Sequence, residues 1–334
     1  MARMGFLHEW VGEEFSIQAV HMITPDESVL RLMTRDYMNL GKEIKRRKNQ
    51  LHQIFAFTFP ELKTFFKGGI TGIVARNLIR KYPTPQELKN ASIENIAKTL
   101  HIKGGYKHEK RADELLHLAQ TTVGIQQVGH HLWRQEWMLN QLDMLEEAQK
   151  TLLTQLSQLI TTHPYTPIIE SMPINSPIWT ATLISVIGNV DRFHNYGQFR
   201  AYVGWFPQIQ QSGTSINSSS LAKDGTRLGR NVFGQMARTL ITPKVRETPF
   251  RIYYERLLGR GMKPSKEMGH LSGKLASVLF ECLKTHTLYD EVRHRKQLGI
   301  PTTDVPDIKT TVEIQDALID NPELSEIEET DEST

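Results

Sequence analysis

The residues best suited to chemistry lie in one short stretch, from Tyr202 to Ala237. A Ser-Gly pair, Ser212-Gly213, lies there in a Gly/Ser-rich loop that precedes an arginine-bearing amphipathic helix. A serine hydroxyl on an accessible loop can act as a nucleophile when a base or a metal ion activates it. A lone Ser-Gly pair in a loop is more often structural than catalytic, so both interpretations of Ser212 stay open at this point.

The helix after this loop offers groups that could bind an anion. Thr226 can cap the helix, and its apolar face consists of Leu228, Val232, Phe233, Met236 and Leu240. Arg227 and Arg230 lie three residues apart in the first turn, beside the amides of the helix start, which suits a phosphate group. Together with Lys223 and Arg238, these two arginines are predicted to contact nucleic acid.

Helices dominate the chain ahead of this stretch. Thr24-Pro25-Asp26-Glu27 supplies a threonine cap, a proline at the first helical position and a glutamate three residues after the cap. This pattern predicts a long helix that ends near Pro60 and carries a basic cluster for nucleic acid: Lys42, Lys45, Arg46, Arg47 and Lys48. The same device at Thr84-Pro85-Gln86-Glu87 predicts a shorter helix that stops before Gly104-Gly105.

Between Trp137 and Ile160 the apolar residues alternate at spacings of four and three, with Gln149 as the polar member of the seam. The seam consists of Met138, Leu142, Leu145, Leu152, Leu156 and Leu159. About three heptads are just enough for a coiled coil. The seam is predicted to pair two copies into a homo-oligomer or to fold back on the first long helix.

Composition divides the chain into four predicted regions. These are a remnant or connector (1–28), a helical coiled-coil domain (29–163), a C-terminal domain (164–292) and an acidic, disordered tail (293–334). The predicted fold class is mainly α. Long helices are followed by a compact helical domain with a helix-hairpin-helix-like start and a Ser-Gly loop.

The charge of the chain is distributed unevenly. The 334 residues carry a net charge of +3, but Pro301 to Thr334 holds eleven acids against the single Lys309. The tail is therefore −10 and the rest of the chain +13. A basic body of this kind indicates a polyanionic partner such as DNA, although basic residues that merely solvate helix faces are the alternative.

Other function classes find little support. No run of eighteen apolar residues and no apolar leader is present, which predicts a cytoplasmic protein without a membrane partner. Cys282, the single cysteine, is surrounded by leucines and predicted to be a core residue. Histidines such as His130 and His131 lack matching Cys, Asp or Glu residues, so no metal site is predicted in the chain.

In its sequence motifs the chain resembles the insertion-sequence one-ten (one-ten / one-sixteen / nine-oh-two) transposase family. These proteins are bacterial recombinases of mobile elements. The pieces that carry the resemblance stand in order: MPINSPIWTATLISVIGNVDRF, FRAYVGWFPQIQQSG, LAKDGTRLGRNVFGQMA and TPFRIYYERLLGRGMK. The likeness runs from Pro173 to Asp290, and RRKNQLHQIFAFTFPEL extends it upstream to a helix that follows the family's RuvC-like DEDD domain.

The resemblance implies a chemistry. The serine of the family's SG motif attacks a DNA phosphodiester, and acids of the DEDD domain hold divalent metal ions such as Mg²⁺ near it. Carried over, the nucleophile is Ser212, DNA is the partner, and the family's guide RNA is a further candidate partner.

Three departures from the family pattern bear on this expectation. The chain begins after the DEDD region, so no cofactor is expected in this chain. Pro173-Ile174-Asn175-Ser176 stands where the family has Pro-Gly-Ile-Gly, and Gly273-Lys274-Leu275 replaces two basic residues before a leucine.

Three interpretations follow. The chain is a truncated transposase that binds nucleic acid but does not cut alone, or it is an active recombinase whose metal site another polypeptide supplies. The third is a non-enzymatic helical nucleic-acid-binding or interaction protein in which Ser212 is an ordinary loop serine.

Overall fold

The computed structural model describes residues 24–100, 109–126, 129–212, 216–221, 225–243 and 245–302, with no side-chain account for 207–224. Lys223, Gly213, Gly104-Gly105, the first 23 residues of the connector and residues 303–334 of the acidic tail lie outside these ranges. Within them the fold is mainly α, as predicted. No described helix is long and apolar enough to cross a membrane.

The described residues divide into two compact units. We call residues 32–161 the helical unit, and residues 24–31 with 162–302 the hairpin unit. The first helix, α1 (Pro25–Thr58), contributes its first turns to the hairpin unit and the rest to the helical unit.

The predicted start of α1 is confirmed. The amide of Glu27 donates to Thr24 Oγ1 at 3.2 Å, and the Glu27 carboxylate accepts from the amide of Thr24 at 2.9 Å. This reciprocal pair satisfies two amide groups that a helix start leaves without intrahelical partners. The helix ends at Thr58, close to the predicted Pro60.

Six further helices build the helical unit. They are α2 (Leu62–Phe65), α3 (Ile73–Lys81), α4 (Pro85–Lys89), α5 (Ile93–Leu100), α6 (Glu109–Thr121) and α7 (Gly129–Ile160). Their core contains fully buried side chains from several of them, including Leu78, Ile96, Leu115 and Leu142. Each such leucine or isoleucine contributes roughly 1.5–3 kcal/mol through burial.

The single helix predicted after Thr84 is wrong, because the chain forms two helices there. Thr84 Oγ1 does accept from the amide of Glu87 at 3.1 Å, but α4 ends at Lys89. Ser92 then caps α5 by accepting from the amide of Asn95 at 3.3 Å. Ser92 thus starts a new helix shortly after the one that Thr84 starts, because serine side chains compete for backbone amides and divide the segment.

The predicted seam lies on α7 and contacts α1 of the same chain. Gln149 donates its amide to the carbonyl oxygen of Tyr37 at 3.3 Å, and Lys48 pairs with Glu146 at 3.1 Å. Met138, Leu142 and Leu156 are buried, whereas the Leu159 side chain is 53% exposed. The folded-back arrangement of the seam is therefore the one seen in this chain.

The hairpin unit contains α8 (Thr166–Glu170), α9 (Pro177–Ile187), a 3-10 turn (Val190–Arg192), α10 (Tyr196–Tyr202), α11 (Arg227–Leu240), α12 (Pro249–Gly259), α13 (Pro264–Lys284) and α14 (Glu291–Gln297). The helix α13 packs against α10, α11 and α12. Phe199, Phe233 and Phe250 are fully buried in this unit, and Cys282 is buried as predicted.

The boundary predicted at residue 293 falls inside α14 and needs correction. Asp290 caps this helix through the amide of Arg293, and Glu291 accepts from both Arg246 and Arg295 at 3.0 Å. These ion pairs hold the helix on the hairpin unit, so the ordered fold reaches beyond 292. The net acidity of the tail concealed a locally basic segment, Glu291–Gln297.

Candidate nucleophile and nucleic-acid interface

The segment predicted to be a Ser-Gly loop is a β-hairpin. Strands β1 (Pro207–Ser212) and β2 (Ile216–Leu221) pair antiparallel, with Pro207 opposite Leu221 and Ser212 opposite Ile216. Ser212 therefore occupies the strand pair farthest from Pro207. Five steps of about 3.4 Å separate its Cα from that of Pro207, so it lies about 17 Å from the base of the hairpin.

The base of the hairpin is fixed to α10 by backbone hydrogen bonds. The amide of Trp205 donates to the carbonyl of Arg200 at 2.8 Å, and the amide of Thr226 donates to the carbonyl of Tyr202 at 2.7 Å. The chain thus leaves the end of α10 and returns to it.

Two arginine side chains reinforce this base. Arg200 donates its Nε to the carbonyl of Trp205 at 3.2 Å, and Arg230 donates its Nε to the carbonyl of Gly204 at 3.3 Å. The Trp205 indole in turn donates to the carbonyl of Arg230 at 3.0 Å. Trp205 and Trp179 are both buried, which is favourable because each indole removes a large apolar surface from water.

Glycines make this close approach possible. Gly204 and Gly225 have φ values of 78° and 97°, in the region that side-chain-bearing residues rarely adopt. A Cβ atom on Gly225 would lie 2.6 Å from the carbonyl oxygen of Ala201 and 2.8 Å from that of Tyr202. Both strands of the hairpin therefore depend on glycine where they meet α10.

The predicted cap of α11 is confirmed, and the two arginines after it differ in their surroundings. Thr226 Oγ1 accepts from the amide of Gly229 at 3.3 Å. Arg227 is exposed, whereas Arg230 is half-buried and turned toward Gly204. Arg238, also half-buried, lies one turn from the buried end of this helix. Arg227 is thus the most accessible of the three.

Arg200 is a residue that the sequence did not single out. It lies half-buried next to Gly273 of α13, where any larger side chain would collide with its guanidinium group. Burial lowers the pKa of Arg200 from its ordinary value, and the neighbouring Tyr196 and Tyr253 oppose that shift. The glycine at 273, noted above as a departure, is thereby explained by the space that Arg200 requires.

The basic cluster on α1 lies among acidic partners. Arg46 and Arg47 lie 3.8 and 3.9 Å from the Glu43 carboxylate, and Lys48 pairs with Glu146. The Arg46 side chain is 65% exposed and that of Arg47 only 18%. Lys45 is exposed. Lys42, Lys45 and Arg46 are thus the exposed members of this cluster, and a surface ion pair would hold Arg46 only weakly.

Comparison with known proteins shows which family one part of the chain is similar to. Residues 166–255 match the family described as Transposase IS116/IS110/IS902. These residues are therefore similar to the domain that defines this transposase family. The matched residues run from the first residue of α8 into α12 and include the whole β-hairpin with Ser212.

Two relatives extend the likeness to this transposase family along most of the chain. "Insertion element IS110 uncharacterized 43.6 kDa protein" of Streptomyces coelicolor is 23% identical over 276 residues, covering 82% of this chain and 67% of the relative. "Insertion element IS116 uncharacterized 44.8 kDa protein" of Streptomyces clavuligerus is 24% identical over 268 residues, covering 78% and 65%. The chain thus spans about two thirds of the length of each relative.

Proposed function

We propose that this chain is a DNA-binding transposase of a bacterial insertion sequence and that Ser212 is the nucleophile of its strand exchange. The match of residues 166–255 to a transposase family carries the proposal. The printed names of both relatives refer to insertion elements, which supports the same class of protein.

In the proposed step, the Oγ atom of Ser212 attacks the phosphorus of a DNA phosphodiester. A serine–phosphate ester forms, the bond from phosphorus to one deoxyribose oxygen breaks, and that oxygen takes up a proton while the serine proton passes to a base. The hydroxyl of a second strand then attacks the ester and releases Ser212. No oxidation occurs, and the ester conserves the bond energy for rejoining.

The hairpin supports this role by its shape. Ser212 lies in the strand pair farthest from the base, about 17 Å out along β1, where a DNA phosphate can approach the hairpin. The base, held by Arg200 and Arg230, fixes the direction from which β1 leaves the domain. Such placement of a reacting group on a supported element favours the attack geometry.

The same geometry separates Ser212 from Arg227. Arg227 opens α11 at the base of the hairpin, whereas Ser212 lies about 17 Å out along β1, and we infer that the two residues contact different phosphates. Along one DNA strand, phosphates follow each other every 3.4 Å or so of helix axis. We therefore assign Arg227 to a phosphate several nucleotides away from the one that Ser212 attacks, where it would position the DNA.

The Mg²⁺ that the resemblance implies does not fit the residues described. In the described ranges, no group of three or more His, Cys, Asp or Glu residues is placed to hold a metal ion. No step proposed for Ser212 passes through a metal site of these residues. Because a serine needs activation, the decisive assay includes an arm in which a polypeptide with the family's acidic domain is added.

DNA is the proposed partner, with the family's guide RNA as an additional one. The charge of +13 on residues 1–300 supports both through counterion release. A homo-oligomer is proposed through the seam on α7, whose Leu159 side chain is 53% exposed. Sedimentation of the wild type and of Leu159→Glu tests this. If the chain associates through the seam, the variant should sediment with a lower mass than the wild type.

The experiment that tests the function uses duplex DNA with the ends of the insertion element that encodes the chain. The wild type and Ser212→Ala are expected to shift this DNA equally, with affinity falling steeply as salt increases. Strand exchange, measured with the acidic-domain polypeptide added, is expected to disappear in Ser212→Ala. Ser219→Ala, which changes a serine in the middle of β2, is the matched control and should keep exchange.

Two results would refute the proposal. Undiminished exchange by Ser212→Ala would remove Ser212 from the chemistry. Binding without exchange by the wild type, under every condition that supports a full-length relative, would instead favour a non-enzymatic nucleic-acid-binding protein.

A further inference from the structure

Three aromatic rings lie in a row on α7 in the helical unit. His130, Trp133 and Trp137 follow each other at spacings of three and four residues, which places them on one face of the helix. The ring centroids of His130 and Trp133 lie 5.7 Å apart, with 22° between the planes. Those of Trp133 and Trp137 lie 5.8 Å apart, with 6° between the planes. We call these three residues the aromatic stair.

The stair is open to solvent. The side chains of Trp133 and Trp137 are 59% and 40% exposed, and His130 is exposed as well. By contrast, Trp179 and Trp205 in the hairpin unit are 7% and 9% exposed. Tryptophan is on average a highly buried residue, so two neighbouring exposed indoles mark a surface that serves binding.

The rings overlap only in part. Flat rings in contact lie about 3.5–4 Å apart, so nearly parallel rings with centroids 5.8 Å apart are displaced sideways by about 4–5 Å. Each indole consequently leaves a portion of its face uncovered. A second flat ring system can stack on these uncovered portions.

Positive groups border the stair. The Arg47 guanidinium carbon lies 5.7 Å from the centroid of the Trp137 ring, in the range of a cation–π contact. Arg134 follows Trp133 and is exposed. Glu136 is the acid between the two tryptophans. The surroundings of the rings thus offer two arginines and one carboxylate.

A cavity of about 230 Å³ adjoins this surface. It is lined by His131 and Arg134, which are sequence neighbours of stair residues on the same helix, and by α1 residues that include Phe57. Phe57 and Ile125, at its rim, are 69% and 55% exposed. The lining holds apolar side chains, the neutral polar side chains of Gln53 and Thr58, one histidine and one arginine, and no carboxylate.

We propose that the aromatic stair binds unpaired nucleotides of single-stranded nucleic acid, with bases stacked on Trp133 and Trp137 and phosphates near Arg134. Every base has a flat face that stacks on an aromatic side chain, and arginine adds cation–π and phosphate contacts. A duplex hides those faces within its own stack, so unpaired nucleotides are the ligands that match this surface. The inference does not depend on Ser212, which lies in the other unit.

The test measures binding of the full chain to labelled twelve-nucleotide thymidine and uridine strands and to a duplex of equal length, at one salt concentration. Trp133→Ala and Trp137→Ala are expected to weaken binding of the single strands by about fivefold or more, while binding of the duplex stays unchanged. Trp133→Phe keeps a ring and should retain most of the affinity. A preference between the two strands shows whether DNA or RNA is the better ligand.

Met144→Ala is the matched control, because Met144 is a 64% exposed apolar residue on the same helix. It should bind single strands like the wild type. Circular dichroism of each variant establishes that α7 is intact.

Two outcomes would overturn the inference. The first is unchanged single-strand binding by both folded tryptophan variants. The second is a loss of self-association in these variants without a loss of nucleotide binding, which would assign the stair to a second copy of the chain.

Discussion

Arg230 donates its Nε to the carbonyl oxygen of Gly204 at 3.3 Å, and so links the first turn of α11 to the residue at which the chain turns out into the hairpin. An arginine that the sequence suggested as a phosphate ligand thereby supports the base of the element that carries Ser212. Its contribution to strand exchange is expected to be positional, since it holds the hairpin rather than the reacting phosphate.

The first prediction concerns Gly225 at the other strand of the base. Gly225→Ala should destabilise the hairpin unit by about 2–4 kcal/mol, from a left-handed φ and from contact with backbone atoms that cannot move aside. Gly261→Ala is the control, because Gly261 has a φ of 78° but nothing within 4 Å of a new Cβ. It should cost only the conformational strain, about 1–2 kcal/mol. Urea unfolding measures the loss of stability in each variant. Equal losses would refute the role of Gly225 at the base of the hairpin.

A second prediction concerns Gly273 and Arg200. Gly273→Ala should displace the Arg200 guanidinium and break its hydrogen bond to Trp205, whereas Gly259→Ala enters open space on α12. Both variants gain helix propensity, and the guanidinium group can move aside, so Gly273→Ala should be less stable mainly by the lost hydrogen bond, about 1 kcal/mol. In an Arg200→Ala background this difference should vanish. Its persistence there would mean that another contact causes the loss.

A third prediction follows from His294, which is buried against Phe250 and accepts or donates a hydrogen bond at 2.9 Å with Tyr289. Burial, aided by the charge of Lys274 and opposed by Glu291, lowers the pKa of His294 to about 4. The unfolded chain then binds the proton first, so stability should fall as pH decreases from about 6.5 to about 4. The loss is at most about 3 kcal/mol, reduced where solvent screens the ring.

The variant His294→Gln isolates this effect. His52 and His163 also have pKa values lowered mainly by burial and contribute to the same pH window. The difference between wild type and variant is therefore the measure, taken from thermal or urea unfolding at pH 7, 6 and 5. Parallel profiles for the two proteins would show that His294 is not responsible.

Local signals in the sequence predicted the helix starts well. The caps at Thr24, Thr84 and Thr226 each bond the amide three residues on, because such a cap needs only residues within one turn. The interruption between α4 and α5 was missed, since Ser92 competes as a cap in a segment whose apolar pattern continues.

The hairpin could not be predicted in the same way. Its strands are rich in glutamine and serine and show little alternation of apolar and polar residues, so the period of two that marks a strand is weak. Pairing of Ser212 with Ile216 is a contact between segments rather than a property of either one. The sequence did direct attention to Ser212, and the role of that serine stays a prediction.

The contact between Arg200 and Gly273 could not be predicted from the sequence either. The two residues are far apart in the chain and meet only because α10 and α13 pack together. The aromatic stair, in contrast, has a readable spacing at 130, 133 and 137. Only the exposure of both indoles in the structure separates it from an ordinary core face.

The most direct test of the central claim is the location of a covalent protein–DNA bond. Exchange reactions with the acidic-domain polypeptide added would be stopped with denaturant, digested with protease and nuclease, and analysed by mass spectrometry. A nucleotide phosphate is expected on Ser212 of the wild type. The adduct should be absent from Ser212→Ala and present on Ser212 of Ser219→Ala. A phosphate on one of Ser218 to Ser220, or an adduct that survives Ser212→Ala, would contradict it.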